Sequence, residues 1–148
     1  MATQLFTDSN ETVEARLLAR TGEPTETGCR LWLGGLRSNG YGTFAVKRAG
    51  RWTQTTAHRA AYHVFCGEIP VGYEVDHLCR HRACVNPDHL EAVTLAENRS
   101  RRNAAKTHCA HGHLYTPENT RIQMGSDGYS CRVCRICENR RHRGRKGG

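Results

Sequence analysis

The segment from Asp76 to His89 carries Cys79, Cys84 and His89 in a Cys-x4-Cys-x4-His pattern, within a stretch too polar to bury its own backbone unaided. Such a loop needs an organising centre. Three soft or borderline ligands within eleven residues require only one more to close a tetrahedral zinc site. On chemistry alone the fourth ligand is either Cys29, in the strand-like run Gly28-Cys29-Arg30-Leu31-Trp32, or Cys66, at the end of the helix preceding the loop. The remainder of the chain makes a staple of this kind necessary. Of its 148 residues 37% are hydrophobic and 7% aromatic, which is thin for one large core. The eight cysteines and nine histidines could support the fold as disulfides or as metal sites. The N-terminal MATQLFTDSN lacks the basic and apolar regions of a secretory segment, and no run approaches the length of a membrane span. The expected setting is therefore soluble, intracellular and reducing, which favours zinc over disulfides.

A second set of ligands lies further on. Cys109-x3-His113 and Cys131-x2-Cys134 have the spacing of a zinc ribbon, two knuckles separated by a hairpin that turns at Gly125-Ser126-Asp127-Gly128. His108 and His111 are alternative nitrogen ligands and Cys137 an alternative thiol; Gly112 favours His113, because a flexible glycine lets the knuckle fold back. Both clusters read as closed four-ligand sites, hence as two structural Zn²⁺ ions with no position left for a catalytic water.

Hydrophobic patterning around these clusters predicts a mixed α+β chain. Ser9 or Asn10 caps a helix over 11–20, with Val13, Leu17 and Leu18 on one face. Short strands follow at Cys29–Leu33, Tyr41–Lys47 and Arg51–Thr55, the last two joined by a turn at Arg48-Ala49-Gly50. A helix over Ala57–Cys66 ends at Gly67 and Pro70, ahead of strands at Tyr73–Val75 and Glu91–Val93 that bracket the cysteine loop. Thr94-Leu95-Ala96-Glu97 is a capping box that starts a further helix at Leu95. Two domains are expected: residues 1–105, holding the first helix, the sheet and the cysteine loop, and residues 106–148, a zinc module with a basic tail.

Strand, loop and helix together have a ββα shape, with Asp76 and His77 just ahead of the first thiol and Asn98 in the first turns of the helix. The stretch Asp76-His77-Leu78-Cys79 through Cys84, Asn86 and His89 to Glu97-Asn98 resembles the HNH nucleases of phage genomes and, in its thiol spacing, the His-Cys box homing endonucleases. The similarity extends upstream through Gly28-Cys29-Arg30-Leu31-Trp32, Gly40-Tyr41-Gly42 and His58-Arg59, and so covers most of 28–102. It implies a small zinc-stabilised ββα-metal nuclease with an antiparallel hairpin and a C-terminal zinc ribbon. It also implies His77 as general base, Asn98 as a ligand of a catalytic Mg²⁺ or Mn²⁺ ion with Asp76 as a further oxygen ligand, and Cys29 as the fourth ligand of the first zinc. His89, which aligns with the middle asparagine of the HNH pattern, is then a structural ligand, and Asn86 a turn residue. His58 reads as a packed helix histidine.

The chemistry suits those roles. Hydrolysis of a phosphodiester needs a water deprotonated near neutral pH, and imidazole, with an unperturbed pKa of about 6.5, is a natural acceptor. An oxygen-held divalent ion stabilises the charge that gathers on the phosphate. Twenty-two Lys and Arg against fourteen Asp and Glu give +8 and a pI near 9.3, in keeping with a polyanionic partner. Arg99, Arg101, Arg102 and Lys106 form one basic cluster, and Arg132, Arg135, Arg140, Arg141, Arg143, Arg145 and Lys146 another. The expected activity is metal-dependent cleavage of double-stranded DNA by a homing-type endonuclease. Lys47, Arg48, Arg51 and Gln54 of the hairpin would read the major groove, the basic helix after Asn98 with Arg101 and Arg102 and the ribbon with its C-terminal tail would contact phosphates, and Arg59 is a further DNA-contact candidate. One site per chain implies a nickase as a monomer, whereas a two-fold homodimer would cut both strands. The rival reading is a non-catalytic zinc module that binds nucleic acid, which needs no His77–Asn98 pair.

Overall fold

The structure, a computed structural model, describes residues 9–145, so Lys146 of the second basic cluster lies outside the described residues. The chain folds as two compact units, one ending at Val93 and the other beginning at Thr94. The sequence reading places the boundary after residue 105. The difference concerns the helix Leu95–Ala104, which packs on the hairpin that follows it.

In the first unit Ser9 caps α1 (Asn10–Leu18), its hydroxyl accepting from the Thr12 amide. Val13 and Leu17 are buried while Leu18 is exposed, so the apolar face of α1 is narrower than the pattern suggests. β1 (Thr21–Pro24) pairs antiparallel with β2 (Arg30–Trp32). β3 (Thr43–Arg48) pairs antiparallel with β4 (Arg51–Thr56) in unbroken register from Thr43↔Thr56 to Arg48↔Arg51. Between Arg48 and Arg51 the turn residues Ala49 and Gly50 both have positive φ, 47° and 78°. This is the left-handed two-residue turn whose twist matches a hairpin. α2 (Ala57–Phe65) buries Ala57, His58, Ala60 and Ala61, and α1 packs against it. β5 (Tyr73–His77) and β6 (Leu90–Thr94) pair around the cysteine loop, which closes through a 3-10 turn at Pro87–His89.

The core of this unit is small: Val13, Leu17, Trp32, Phe44, Val46, Ile69, Val75, Val85 and Leu90 packed around the alanines of α2. Trp32 is its largest member, and two glycines make room for it. A Cβ on Gly42 would lie 2.5 Å from Trp32 Cδ1 and 2.9 Å from Ala57 Cβ, and one on Gly34 would lie 2.6 Å from the same indole. The Gly40-Tyr41-Gly42 element therefore has a packing reason as well as a turn reason.

In the second unit Thr94 caps α3 (Leu95–Ala104) by accepting from the Glu97 amide at 3.2 Å, half of the predicted capping box, while the Glu97 carboxylate pairs with Arg101. β7 (Thr120–Met124) and β8 (Ser130–Cys134) form an antiparallel hairpin. It runs directly into α4 (Arg135–Arg145), where the sequence reading has only a basic tail. Among the described residues no helix is long and apolar enough to cross a membrane.

Replacing Gly42 by alanine is expected to lower the unfolding free energy by about 1–3 kcal/mol, since both neighbours are buried and cannot yield cheaply. Thermal melts of the zinc-loaded protein check this.

Candidate functional site

Two groups of Cys and His side chains converge, and the distances within each suit a tetrahedral zinc ion. With Zn–S near 2.3 Å and Zn–N near 2.0–2.1 Å, tetrahedral ligands stand about 3.6 Å apart for S···N and about 3.8 Å for S···S. The first group is Cys29, Cys79, Cys84 and His89, all ligand atoms lying within 4.8 Å of one another. His89 Nδ1 is 3.5 Å from Cys29 Sγ and 3.7 Å from Cys84 Sγ. Cys66 is not in this group; its thiol is 3.9 Å from the Pro87 carbonyl. Burial pushes the Cys84 thiol up to about 12 as a free group, so loading with zinc must drive off a tightly held proton.

Local backbone explains the convergence. Gly28 has φ +75°, and the space beside its Cα is taken by the His89 ring, 3.5 Å from where a Cβ would stand. The Asn86 amide donates to the Gly28 carbonyl at 2.8 Å, and its Oδ1 accepts from the Asp88 amide. Asn86 is thus a buried turn residue that ties the loop to the segment carrying Cys29.

The second group is Cys109, His113, Cys134 and Cys137. Cys109 Sγ is 3.4 Å from His113 Nδ1 and 3.8 Å from Cys137 Sγ, and His113 Nδ1 is 3.2 Å from Cys137 Sγ and 3.7 Å from Cys134 Sγ. Here the structure corrects the spacing argument, which pairs Cys131 with Cys134. Both belong to β8, and strand residues three apart point to opposite faces. Cys134 and Cys137 instead straddle the junction of β8 and α4, where strand geometry gives way to helix. Of the alternative nitrogens, His111 Nδ1 comes within 3.4 Å of Cys137 Sγ, and His108 bonds Thr107.

His77 ends β5 at the mouth of the first loop and is only 5% exposed. Its Nε2 lies 3.0 Å from the Cys84 carbonyl oxygen. A carbonyl only accepts, so Nε2 carries the proton and Nδ1 keeps its lone pair. Burial lowers the His77 pKa, partly opposed by the Cys84 carbonyl and by Asp76. Sequence reasoning missed what surrounds this ring. His58, expected to be a packed helix histidine, is packed against His77 itself, ring centroids 4.6 Å apart, and Tyr41 lies over both at 5.1 and 5.9 Å. Burial, with His77 and Arg59 nearby, lowers His58 to about 3, so it is neutral at neutral pH. No spacing rule marks His58, because its partner is nineteen residues away on another element.

The remaining candidates are dispersed. Asp76 is half-buried on β5, and Asn98 half-buried on α3. Carboxylate and amide oxygens are hard donors of the kind that suit Mg²⁺ or Mn²⁺. Arg59 is half-buried on α2, Arg101 is engaged with Glu97, and Arg102 is exposed. The four hairpin residues do not share one face. Lys47 and Gln54 stand with exposed Trp52 on one side, whereas Arg48 and Arg51 pair across the turn on the side that buries Phe44 and Val46.

Comparison with known proteins matches the HNH endonuclease family model to residues 55–100. The chain is 34% identical over 70 residues to the uncharacterized gene 5.3 protein of Enterobacteria phage T3, covering 45% of this chain and 69% of that protein. It is 34% identical over 73 residues to protein 7.7 of Escherichia phage T7, covering 47% and 51%, and 32% identical over 74 residues to protein 2.8 of the same phage, covering 50% and 48%. It thus spans about half the length of the two T7 relatives. A solved structure of the HNH homing endonuclease I-HmuI aligns with a TM-score of 0.43 and 19% identity, covering 78% of this chain and 70% of that one. The chain belongs to the HNH endonuclease family.

Zinc analysis of purified protein is expected to give two ions per chain. Cys131→Ser should keep both, and Cys137→Ser should keep one. The reverse result would restore the Cys131 assignment.

Proposed function

We propose that this protein is a divalent-metal-dependent endonuclease that hydrolyses phosphodiester bonds in double-stranded DNA, with His77 as general base. The observation that carries this reading is the hydrogen bond from His77 Nε2 to the Cys84 carbonyl. It holds the imidazole in the tautomer whose Nδ1 can take a proton from water, at the end of β5 beside a loop that a zinc ion on Cys29, Cys79, Cys84 and His89 would make rigid. Burial lowers its pKa, so the ring is the free base at neutral pH. His58 and Tyr41 pack against the ring and limit its rotation.

In the reaction we propose, water gives its proton to His77 Nδ1 as its oxygen attacks phosphorus, and the 3′-oxygen leaves. Asp76 and Asn98 would hold a Mg²⁺ or Mn²⁺ ion, whose contribution there is to neutralise charge on the phosphate and the departing oxygen. The two zinc clusters have closed ligand sets and serve structure. The nuclease domain in this reading runs to residue 105, taking in α3 for Asn98, with residues 106–148 as the zinc module. Lys47 and Gln54, on the hairpin face that exposes Trp52, would meet base edges, while Arg48, Arg51, Arg59, Arg101 and Arg102 would supply phosphate contacts. The homing role rests on the resemblance to His-Cys box enzymes, and double-strand cutting requires a two-fold dimer.

Plasmid cleavage with Mg²⁺ tests the reading. His77→Ala is expected to lose about 10²- to 10⁴-fold in rate while keeping both zinc ions, and Asn98→Ala to need far more Mg²⁺. A His77→Ala protein that cleaves like wild type would instead favour the non-catalytic zinc module. Nicked against linear product reports the strand question. The pH profile is a separate check: because the His77 pKa is lowered, activity should hold as pH falls past about 6.5 and decline only below it.

A further inference from the structure

α3 presents a physical difficulty. It is ten residues long, shorter than isolated helices that are stable in water, and none of its residues is buried. Its sequence, Leu95-Ala96-Glu97-Asn98-Arg99-Ser100-Arg101-Arg102-Asn103-Ala104, places like charges close together at its C-terminal half. The last four carbonyls of any helix also lack intrahelical partners. Something outside the helix must supply what core burial does not.

The zinc ribbon supplies it. One edge of β8 pairs with β7, and on the other the amides of alternate residues donate to α3 side chains: Ser130 N to Ser100 Oγ at 2.9 Å, and Arg132 N to Asn103 Oδ1 at 2.6 Å. The Arg132 guanidinium then closes the helix end, its Nη2 donating to the carbonyls of Asn103 at 2.6 Å, Ala104 at 3.0 Å and Lys106. Arg99 reaches Asp127 in the β7–β8 turn at 3.5 Å. Arg132 is itself held by Tyr115, whose ring lies 4.6 Å beneath the guanidinium and whose hydroxyl donates to the Arg132 carbonyl at 3.2 Å. Tyr115 follows the zinc ligand candidate His113 by two residues, and Arg132 precedes Cys134 by two. A zinc ion held by the second cluster would therefore fix both halves of the clamp.

The geometry also leaves Asn98 on the far side. At about 100° per residue, Ser100 and Asn103 sit about 200° and 140° around the helix from Asn98, so the ribbon grips the opposite face. We infer that the C-terminal zinc ribbon works as an external cap for α3, and that Arg132, Asn103 and Ser100 are positioning residues that set how well Asn98 is presented to the catalytic ion. The part concerning Asn98 rests on the function proposed above; the capping itself does not. The second basic cluster is correspondingly smaller than its sequence suggests, because the Arg132 charge is directed at helix carbonyls.

Hydrogen exchange on the full-length, zinc-loaded chain tests this, with zinc content and Mg²⁺ titrations of cleavage run beside it. Arg132→Ala is expected to keep two zinc ions yet lose about tenfold or more of the amide protection in α3, and to raise the Mg²⁺ concentration for half-maximal cleavage several-fold. Arg132→Lys, which can still donate to the carbonyls, should recover part of both. If Arg132→Ala disturbs the second zinc, Asn103→Ala provides the same comparison with the guanidinium retained. Unchanged α3 protection in a variant that keeps both zincs would overturn the cap. Lost protection with an unaltered Mg²⁺ midpoint, where Asn98→Ala does shift that midpoint, would overturn the positioning role. If Asn98→Ala shifts nothing, the functional reading of Asn98 fails, and exchange alone decides the cap.

Discussion

Cys84 joins the two halves of the candidate site. Its thiol stands among the ligand atoms of the first cluster, and its carbonyl accepts the proton of His77 Nε2. One residue thus links the metal that can order the loop to the tautomer of the proposed base. Cys84 is fully buried and its backbone amide bonds His81, so side chain, amide and carbonyl are all committed. With a core of a dozen residues, several of them alanines, the first unit has little other means of holding a fourteen-residue polar loop in one shape.

The same economy recurs in the second unit, where even less is buried. Cys134 is its sole buried cysteine, and its hairpin leaves Ile122 and Met124 exposed. Order there comes from ligand convergence and from directed polar contacts: Asn119 accepting from the Ile136 amide, Arg121 paired with Glu138, and Arg132 on the end of α3. These interactions are short-range and geometrically demanding. A unit assembled this way has well-defined edges but little to hold it once its ligands are released.

Much of this was legible in the sequence because the strongest signals were local. The hairpin turn at Ala49-Gly50, the Thr94 cap, the helix over α2 and the first ligand triplet all depend on residues within a few positions of one another. Cys29 came from the resemblance, since sixty residues separate it from His89. Counting ligand spacing without strand parity prefers Cys131 and leaves Cys137 as only the alternative thiol, whereas Cys137 is the one that converges with Cys134. α4 does not show in the sequence because its arginines obscure any apolar face. The tilted packing of His58 against His77 and the grip of Arg132 on α3 are long-range side-chain contacts, and no local pattern encodes them.

The clamp between β8 and α3 bears on how this chain can be taken apart. Sequence motifs invite a cut after residue 105, separating a catalytic piece from a finger. The polar contacts of α3 run the other way, across that line and into the ribbon, so structural modularity and motif modularity do not coincide. A graft or fusion that ends with the motif would carry the helix of Asn98 away from the partner that completes it. The smallest transplantable unit with an intact α3 extends at least through Cys137.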